Sequence, residues 1–376
     1  MLGGPVVPQQ QGAGFPVHAH LEGQLLFDVT VQMGQHRGAF AAAELHDVRS
    51  VGLVDKQELA ATVDGREIND LGGVGPGDVT VTNGGPVSLT LRAVSRGDAP
   101  HTTEVTLYNG VDRVAIRNEI TSGFSDVKTW AFSFNLRSPD VWHEEIGAIN
   151  HARLKPDGDY FAKYSRLDWL TLNHFVAMSG YSRIGITLSN TDDAFMKLGH
   201  SRMVDGVAQL DTETPQISVL AGGQVDGPTL GIPNQGGDTH FLQRFALHAQ
   251  ANFNAASSMR LSLEDQNPLV VGEVTGGTAY PATSFSFLQT SNPDVLLWAL
   301  KPHEDGIKHG LVTRFWNLSP DAQKSTVSVT GGIMSAAKST HIETNAAPVK
   351  LTANGLSVEA KPWQLTTYLL HPGKGN

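Results

Sequence analysis

The segment SPDVWHEEIGAINH, Ser138 to His151, places an imidazole, His143, and two carboxylates, Glu144 and Glu145, directly after the indole of Trp142. Carboxylates serve as general acids and bases, and an aromatic ring is a platform on which a sugar face stacks. Neighbouring residues of a regular strand point to opposite faces, so Glu144 and Glu145 cannot both serve one site there. The competing reading is a solvated strand end. A second cluster lies in LLWALKPHEDGIKHGLVTRFWNLS, Leu296 to Ser319, where Lys301, His303, Glu304, Asp305 and Lys308 sit between two apolar runs. Read as chemistry, Glu304 and Asp305 are a carboxylate pair. Read as structure, they form a charged hairpin tip in which Gly306 supplies the positive φ the turn needs. On the return run, Arg314 offers a fixed fork of donors for sugar hydroxyls or a carboxylate.

Between these clusters, Tyr160 to Asp193 is rich in rings. Tyr164, Trp169, His174, Phe175 and Tyr181 either line a glycan groove or fill a core between two sheets, which is the commoner fate of such residues. The pair His18 and His20 has the one-apart spacing of a strand-borne metal site. Its Pro/Gln/Gly-rich surroundings offer only Glu22 as a nearby carboxylate, so a surface pair fits better.

Several chemistries are excluded. The chain has no cysteine, which removes disulfides, thiolate metal sites and cysteine nucleophiles. Its 37 acidic against 27 basic residues give a formal charge of −10, the opposite of a nucleic-acid footprint. No G-x-S-x-G, G-x-x-x-x-G-K-[ST] or H-E-x-x-H motif occurs. No apolar run reaches the roughly 18 residues of a membrane span, and the first residues do not read as a secretory signal. A cytoplasmic location is expected, with no membrane or nucleic-acid partner.

The elements that would position these groups read as strands. Period-two alternation recurs in VSLTLRAVS from Val87, TWAFSFNL from Thr129, RIGITLSN from Arg183 and WQLTTYLLHP from Trp363. Asn109-Gly110 and Asn354-Gly355 are hairpin signals. The one helical candidate lies in Gln35 to Leu53, with an Ala-rich centre. At 376 residues the chain has room for two or three domains. The pattern predicts an all-β class, a large sandwich or two stacked ones, with residues 1–20 flexible and a seam near Val270 to Ser284 that divides 1–275 from 276–376.

The order of segments resembles the C-terminal half of glycoside hydrolase family 38, the α-mannosidases. LYNGVDRVAIRNEI, GITLSNTDDAFMKLG, THFLQRFALHAQ with EDQNPLVV, and HIETNAAPVKLTANGLSVEAKPWQLTTYLL follow one another as they do in that family. DVLLWALKPHEDGIKHGLVTRFWNLS matches best, with its Lys-x-x-Glu-Asp-Gly turn and a strand ending Arg-Phe-x-Asn. The resemblance covers residues 90 to 376. It implies a galactose-mutarotase-like supersandwich followed by a small β-sandwich. It also implies that the zinc ion and aspartate nucleophile of a retaining mannosidase would come from an N-terminal domain, whose His-x-Asp motif this sequence lacks. No cofactor is therefore expected in this chain.

Three functions follow as expectations. In the first, the chain binds or frames a glycan or mannoside and completes an active site supplied by a separate domain or subunit. In the second, it is an independent lyase, epimerase or hydrolase drawing on His143, Glu145, Tyr164, His174, Arg183 and His240. In the third, it is an interaction module without sugar chemistry. Substrate-contact candidates are Arg314, His143, Glu145, Tyr164, Trp169 and His174, and no catalytic residue is assigned. A domain separated from a large partner is expected to expose an apolar patch, through which homo-oligomers could form.

Overall fold

The computed structural model describes residues 54–373 except 64–65, 69–77, 97–99, 164, 182–183, 205, 224, 226–232 and 273–283, together with the short strands Val17–His18 and Asp28–Val29. The helical candidate at 35–53, His20, Tyr164 and Arg183 lie outside the described residues. The chain divides into two compact units. One comprises Met1–Ile146 and Asn150–Phe253, the other Asn254–Asn376 with Gly147–Ile149. The division falls ahead of the Val270–Ser284 stretch, because the helix Ala255–Gln266 groups with the second unit.

The first unit is a sandwich of two antiparallel sheets. The larger has nine strands, ordered Ala148–His151, Asp140–Glu145, Phe175–Ser179, Gly185–Asn190, Phe241–Gln250, Val114–Ile120, His101–Tyr108, Ser88–Ser95 and Asp78–Gly84. The smaller has six, ordered Leu170–Thr171, Phe195–Leu198, Gln216–Gly222, Val127–Phe134, Val54–Val63 and Arg66–Ile68. Alternating side chains from the two inner faces meet in one core that includes Val105, Ile116, Trp130, Phe132, Val141, Leu188, Ile217 and Phe245. Burying each large apolar side chain of this kind contributes about 1.5–3 kcal/mol. Trp130 also donates its indole N–H to Gln243 Oε1 at 3.0 Å, a buried bond from one sheet to the other.

Polar positions of the alternating runs do not all reach water. In Gly185–Asn190 all six residues are buried, Thr187 and Ser189 among them. Asn190, 1% exposed, is satisfied through donation to the carbonyls of Leu172 and Asp193 and acceptance from the amide of Asp193. Asn109-Gly110 forms its turn between His101–Tyr108 and Val114–Ile120.

The second unit is a smaller sandwich. A five-stranded sheet runs Val295–Pro302, Leu311–Asn317, Leu365–Pro372, Ile333–Ser339, Ala347–Val349, and a three-stranded sheet runs Leu288–Thr290, Gln323–Val329, Leu356–Ala360. Val295, Phe315, Val327, Leu356, Val358, Tyr368 and Leu370 make its core. The KPHEDG segment is the expected hairpin tip. Val295–Pro302 pairs antiparallel with Leu311–Asn317, and Gly306 takes φ 102°. At the second hairpin signal, Thr352 and Gly355 exchange backbone bonds in both directions and Gly355 takes φ 122°.

The helix Ala255–Gln266 was not expected from alternation. Asn254 caps it by accepting the amide of Ser257 at 2.8 Å. No helix among the described residues is long and apolar enough to cross a membrane.

Candidate functional site

The strand Asp140–Glu145 carries the densest chemistry of the first unit, and its alternation sorts the side chains into two groups. Val141 lies in the inter-sheet core, so His143 and Glu145, two and four residues on, share that inner face. His143 is fully buried and spans the two sheets. Its Nδ1 lies 3.1 Å from the carbonyl oxygen of Thr171, and its Nε2 lies 2.7 Å from the hydroxyl of Tyr160. Tyr160 donates in turn to Glu145 Oε2 at 2.9 Å, and Asn150 donates to the same oxygen at 3.1 Å. Burial holds the imidazole of His143 below the ordinary histidine range, against the opposing pull of the Glu145 charge. Burial also raises the Tyr160 phenol, with Glu145 adding to the effect.

Asp140, Trp142 and Glu144 occupy the opposite face. Asp140 accepts from His151 Nε2 at 2.7 Å, from Trp142 at 2.8 Å and from Arg153 at 3.0 Å. Burial alone would push the Asp140 carboxyl upwards, but these bonds and charges leave it below the usual range. Trp142 is stacked with His151 at 4.3 Å and 6° and with Phe253 at 5.1 Å and 11°. Its ring thus packs against two of the protein's own rings. Glu144, with no exposed side-chain surface, accepts from His174 Nδ1 at 2.8 Å. The adjacent acids thus serve different faces, as strand geometry requires.

The remaining candidates of this unit are scattered. Trp169 is buried at 7% exposure, Phe175 is buried, and Tyr181 is 92% exposed. His240 bonds Glu119 at 2.7 Å, away from the His143 group, and this bond is the main cause that lowers the Glu119 carboxyl. Of the six residues proposed for an independent enzyme, His143 and Glu145 share one site, His174 faces the other side of the strand, and Tyr164 and Arg183 are not described. Tyr160 and Asn150 complete the group. Neither stood out in the sequence, because a tyrosine 17 positions from His143 has no spacing signature.

The second unit carries a charged cluster of its own. Arg314 Nη2 donates to Glu343 Oε1 at 2.7 Å and to the carbonyl of His341 at 3.0 Å, and Lys301 reaches Glu343 at 2.9 Å. Glu304 bonds the same lysine, which holds the Glu304 carboxyl low and the Lys301 ammonium high. Glu343 sits at φ 64°, a left-handed conformation that a residue other than glycine adopts at a cost of about 1 kcal/mol or more. The fork of Arg314 therefore grips a carboxylate of its own chain. The other residues of that strand end are joints as well. Phe315 is core, Trp316 donates to the carbonyl of Trp363 at 3.2 Å, and Asn317 ties down a loop. Asn317 donates to the carbonyls of Asp321 and Lys361, each at 2.8 Å, and accepts from the amide of Ser319 at 3.0 Å.

Among the described residues no three His, Asp or Glu side chains are placed to hold a metal ion. These groups do not fit a zinc site.

The fold defines an all-β protein of two sandwiches, large then small. Residues 294–368, most of the small sandwich, match the family described as "Glycosyl hydrolases family 38 C-terminal beta sandwich domain", so this region is a family 38 C-terminal β-sandwich. Two solved structures resemble most of this chain in fold. An α-mannosidase from Enterococcus faecalis V583 has a TM-score of 0.61 at 12% identity, over 86% of this chain and 40% of that one. A glycosyl hydrolase family 38 protein from Enterococcus faecalis has a TM-score of 0.59 at 13% identity, over 86% and 41%. A galactose mutarotase-like protein from Lactobacillus casei ATCC 334 gives a TM-score of 0.27 at 12% identity, over 52% and 85%. No curated protein matches the chain. The chain thus spans about two fifths of the length of the α-mannosidase it overlays.

Proposed function

We propose that this chain is the glycan-binding, site-framing sandwich region of an α-mannosidase-class protein, and that cleavage of a terminal α-D-mannoside needs groups from another domain or subunit. One observation carries the reading. The family 38 match at 294–368 and the likeness of 86% of the chain to an α-mannosidase coincide, while the chain accounts for only 40% of that protein's length. The carboxylates support it. A retaining glycosidase needs two carboxyl groups about 5–5.5 Å apart and open to substrate. Here Glu144 is tied to His174, Asp140 to His151 and Arg153, and Glu343 to Arg314 and Lys301. Titration with methyl α-D-mannoside, followed by amide chemical shifts, tests the binding half. Saturable shifts confined to one face are expected, and no shift at tens of millimolar would refute it.

A second reading, an acid/base enzyme acting without a partner, is favoured by the His143–Tyr160–Glu145 chain, in which two expected residues meet through a shared hydroxyl. Loss of a measured sugar-converting activity in E145Q, with binding retained, would move the assignment to it.

A further inference from the structure

Proton counting along the inner face of Asp140–Glu145 restricts how that group can be protonated. A carbonyl only accepts, so His143 Nδ1, 3.1 Å from the oxygen of Thr171, must carry a proton. The Tyr160 hydroxyl has one proton and two acceptor-capable neighbours, His143 Nε2 at 2.7 Å and Glu145 Oε2 at 2.9 Å. If it points to Glu145, Nε2 must donate to Tyr160 and the imidazole is charged. If it points to Nε2, two oxygens face each other unless Glu145 is itself protonated and donates. Both satisfied arrangements hold one proton beyond neutral His143, the Tyr160 phenol and the Glu145 carboxylate. They interconvert when the protons between His143 and Tyr160 and between Tyr160 and Glu145 shift together.

We infer that His143, Tyr160 and Glu145 form a one-proton relay that ends at Glu145 Oε1, a general acid/base position for a ligand hydroxyl. Both bonds to Glu145 among the described residues fall on Oε2, which leaves Oε1 open. Glu145 is partly exposed at the edge of a hairpin whose tip residue, Ile146, is 78% exposed. With a further proton on Oε1 the group holds a charged imidazole and a neutral carboxyl. When Oε1 gives that proton to a ligand oxygen, the Tyr160 proton passes to Oε2 and the Nε2 proton of His143 passes to Tyr160, which returns the group to the arrangement with one extra proton. The imidazole ends neutral and the carboxyl is again protonated, so atoms and charge balance. In the reverse direction Oε1 takes a hydroxyl proton and the buried imidazole stores it. Asn150 fixes the carboxylate plane through Oε2, and is a positioning residue. The charged groups facing His143 are Glu144 and Glu145 from its own strand and Asp159 from the following segment. Tyr160 and the Thr171 carbonyl complete its surroundings.

The choice of a hydroxyl-bearing ligand rests on the glycan reading above, but the relay does not, and its test needs no ligand. In the full chain, the His143 ring nitrogens and the Glu145 carboxyl carbon are followed by NMR against pH. One shared midpoint for both signals is expected, with the lone pair on Nε2 in the neutral form. Y160F should split the two responses, and E145Q should lower the His143 midpoint by at least about one pH unit, because it deletes the charge that supports the imidazolium. Circular dichroism confirms that each variant is folded, and N150A is the fallback if Y160F is not. It keeps the bridge, so the shared midpoint should survive. Separate midpoints in the native chain, or a His143 midpoint unmoved in folded E145Q, would overturn the relay.

Discussion

Asp193 lies in the turn between the strands Gly185–Asn190 and Phe195–Leu198, beside Asp192. Asp192 takes three bonds from the neighbouring Arg244. Arg244 gives it Nε at 3.0 Å, Nη2 at 2.6 Å and its backbone amide at 2.7 Å. Asp193 is left with a buried Oδ2 that has no hydrogen-bond partner. Burial, and then the Asp192 charge, raise its carboxyl to about 7. The folded state therefore holds this proton more tightly than the unfolded chain, whose carboxyl titrates near 3.8. Stability is unaffected by the group below the unfolded value and falls as pH rises towards the folded one. Between about pH 5 and pH 8 the loss amounts to about 2–3 kcal/mol, at ~1.4 kcal/mol for each unit that separates the two states. D193N removes the charge and keeps the shape. The new amide also changes absolute stability, so the quantity to compare is the slope. Urea unfolding at several pH values should give a native curve that falls by about 2–3 kcal/mol more than that of D193N over this range. Parallel curves would refute the account of Asp193 as an acid with a buried, unpartnered Oδ2.

Other substitutions test the joints. H174A removes one hydrogen-bond partner of a carboxylate with no exposed surface, Glu144, and should destabilise by about 1–3 kcal/mol in chemical denaturation. N317A strips partners from the carbonyls of Asp321 and Lys361 and the amide of Ser319, with an expected loss of about 2–4 kcal/mol by the same measurement. G355A asks a residue at φ 122° to place a Cβ 2.2 Å from the carbonyl oxygen of Val327. A loss of about 2–4 kcal/mol, read as a lowered Tm, is expected.

The strand architecture was legible because alternation and hairpin signals are local. Asn109-Gly110, Gly306 and Gly355 all sit where the chain reverses. Alternation alone could not tell a half-solvated strand from one covered on both faces, which is why the burial of Thr187 and Ser189 was not visible. The helix Ala255–Gln266 was overlooked although Asn254 and the following Ala-Ala-Ser form a capping pattern. Its mixed polar surface gives no strong apolar stripe. At the site, strand parity rightly separated Glu144 from Glu145. The partners that decide their roles come from other segments. Tyr160 and His174 reach them across 15 and 30 residues of chain, and Phe253 and His151 stack with Trp142. Arg314 was singled out for its fork, and its local carboxylate, Glu343, stands 29 positions away. The Arg-Phe-x-Asn stretch that best marked the family is a row of structural joints, each residue bonded or packed within the small sandwich.

The central claim is binding without independent cleavage. Its most direct test is to incubate the purified chain with zinc and a chromogenic aryl α-D-mannoside, while following ligand binding to the same sample by NMR. The account predicts saturable mannoside binding with no release of the aryl alcohol above the rate in buffer. Zinc-dependent release by this chain alone would contradict it.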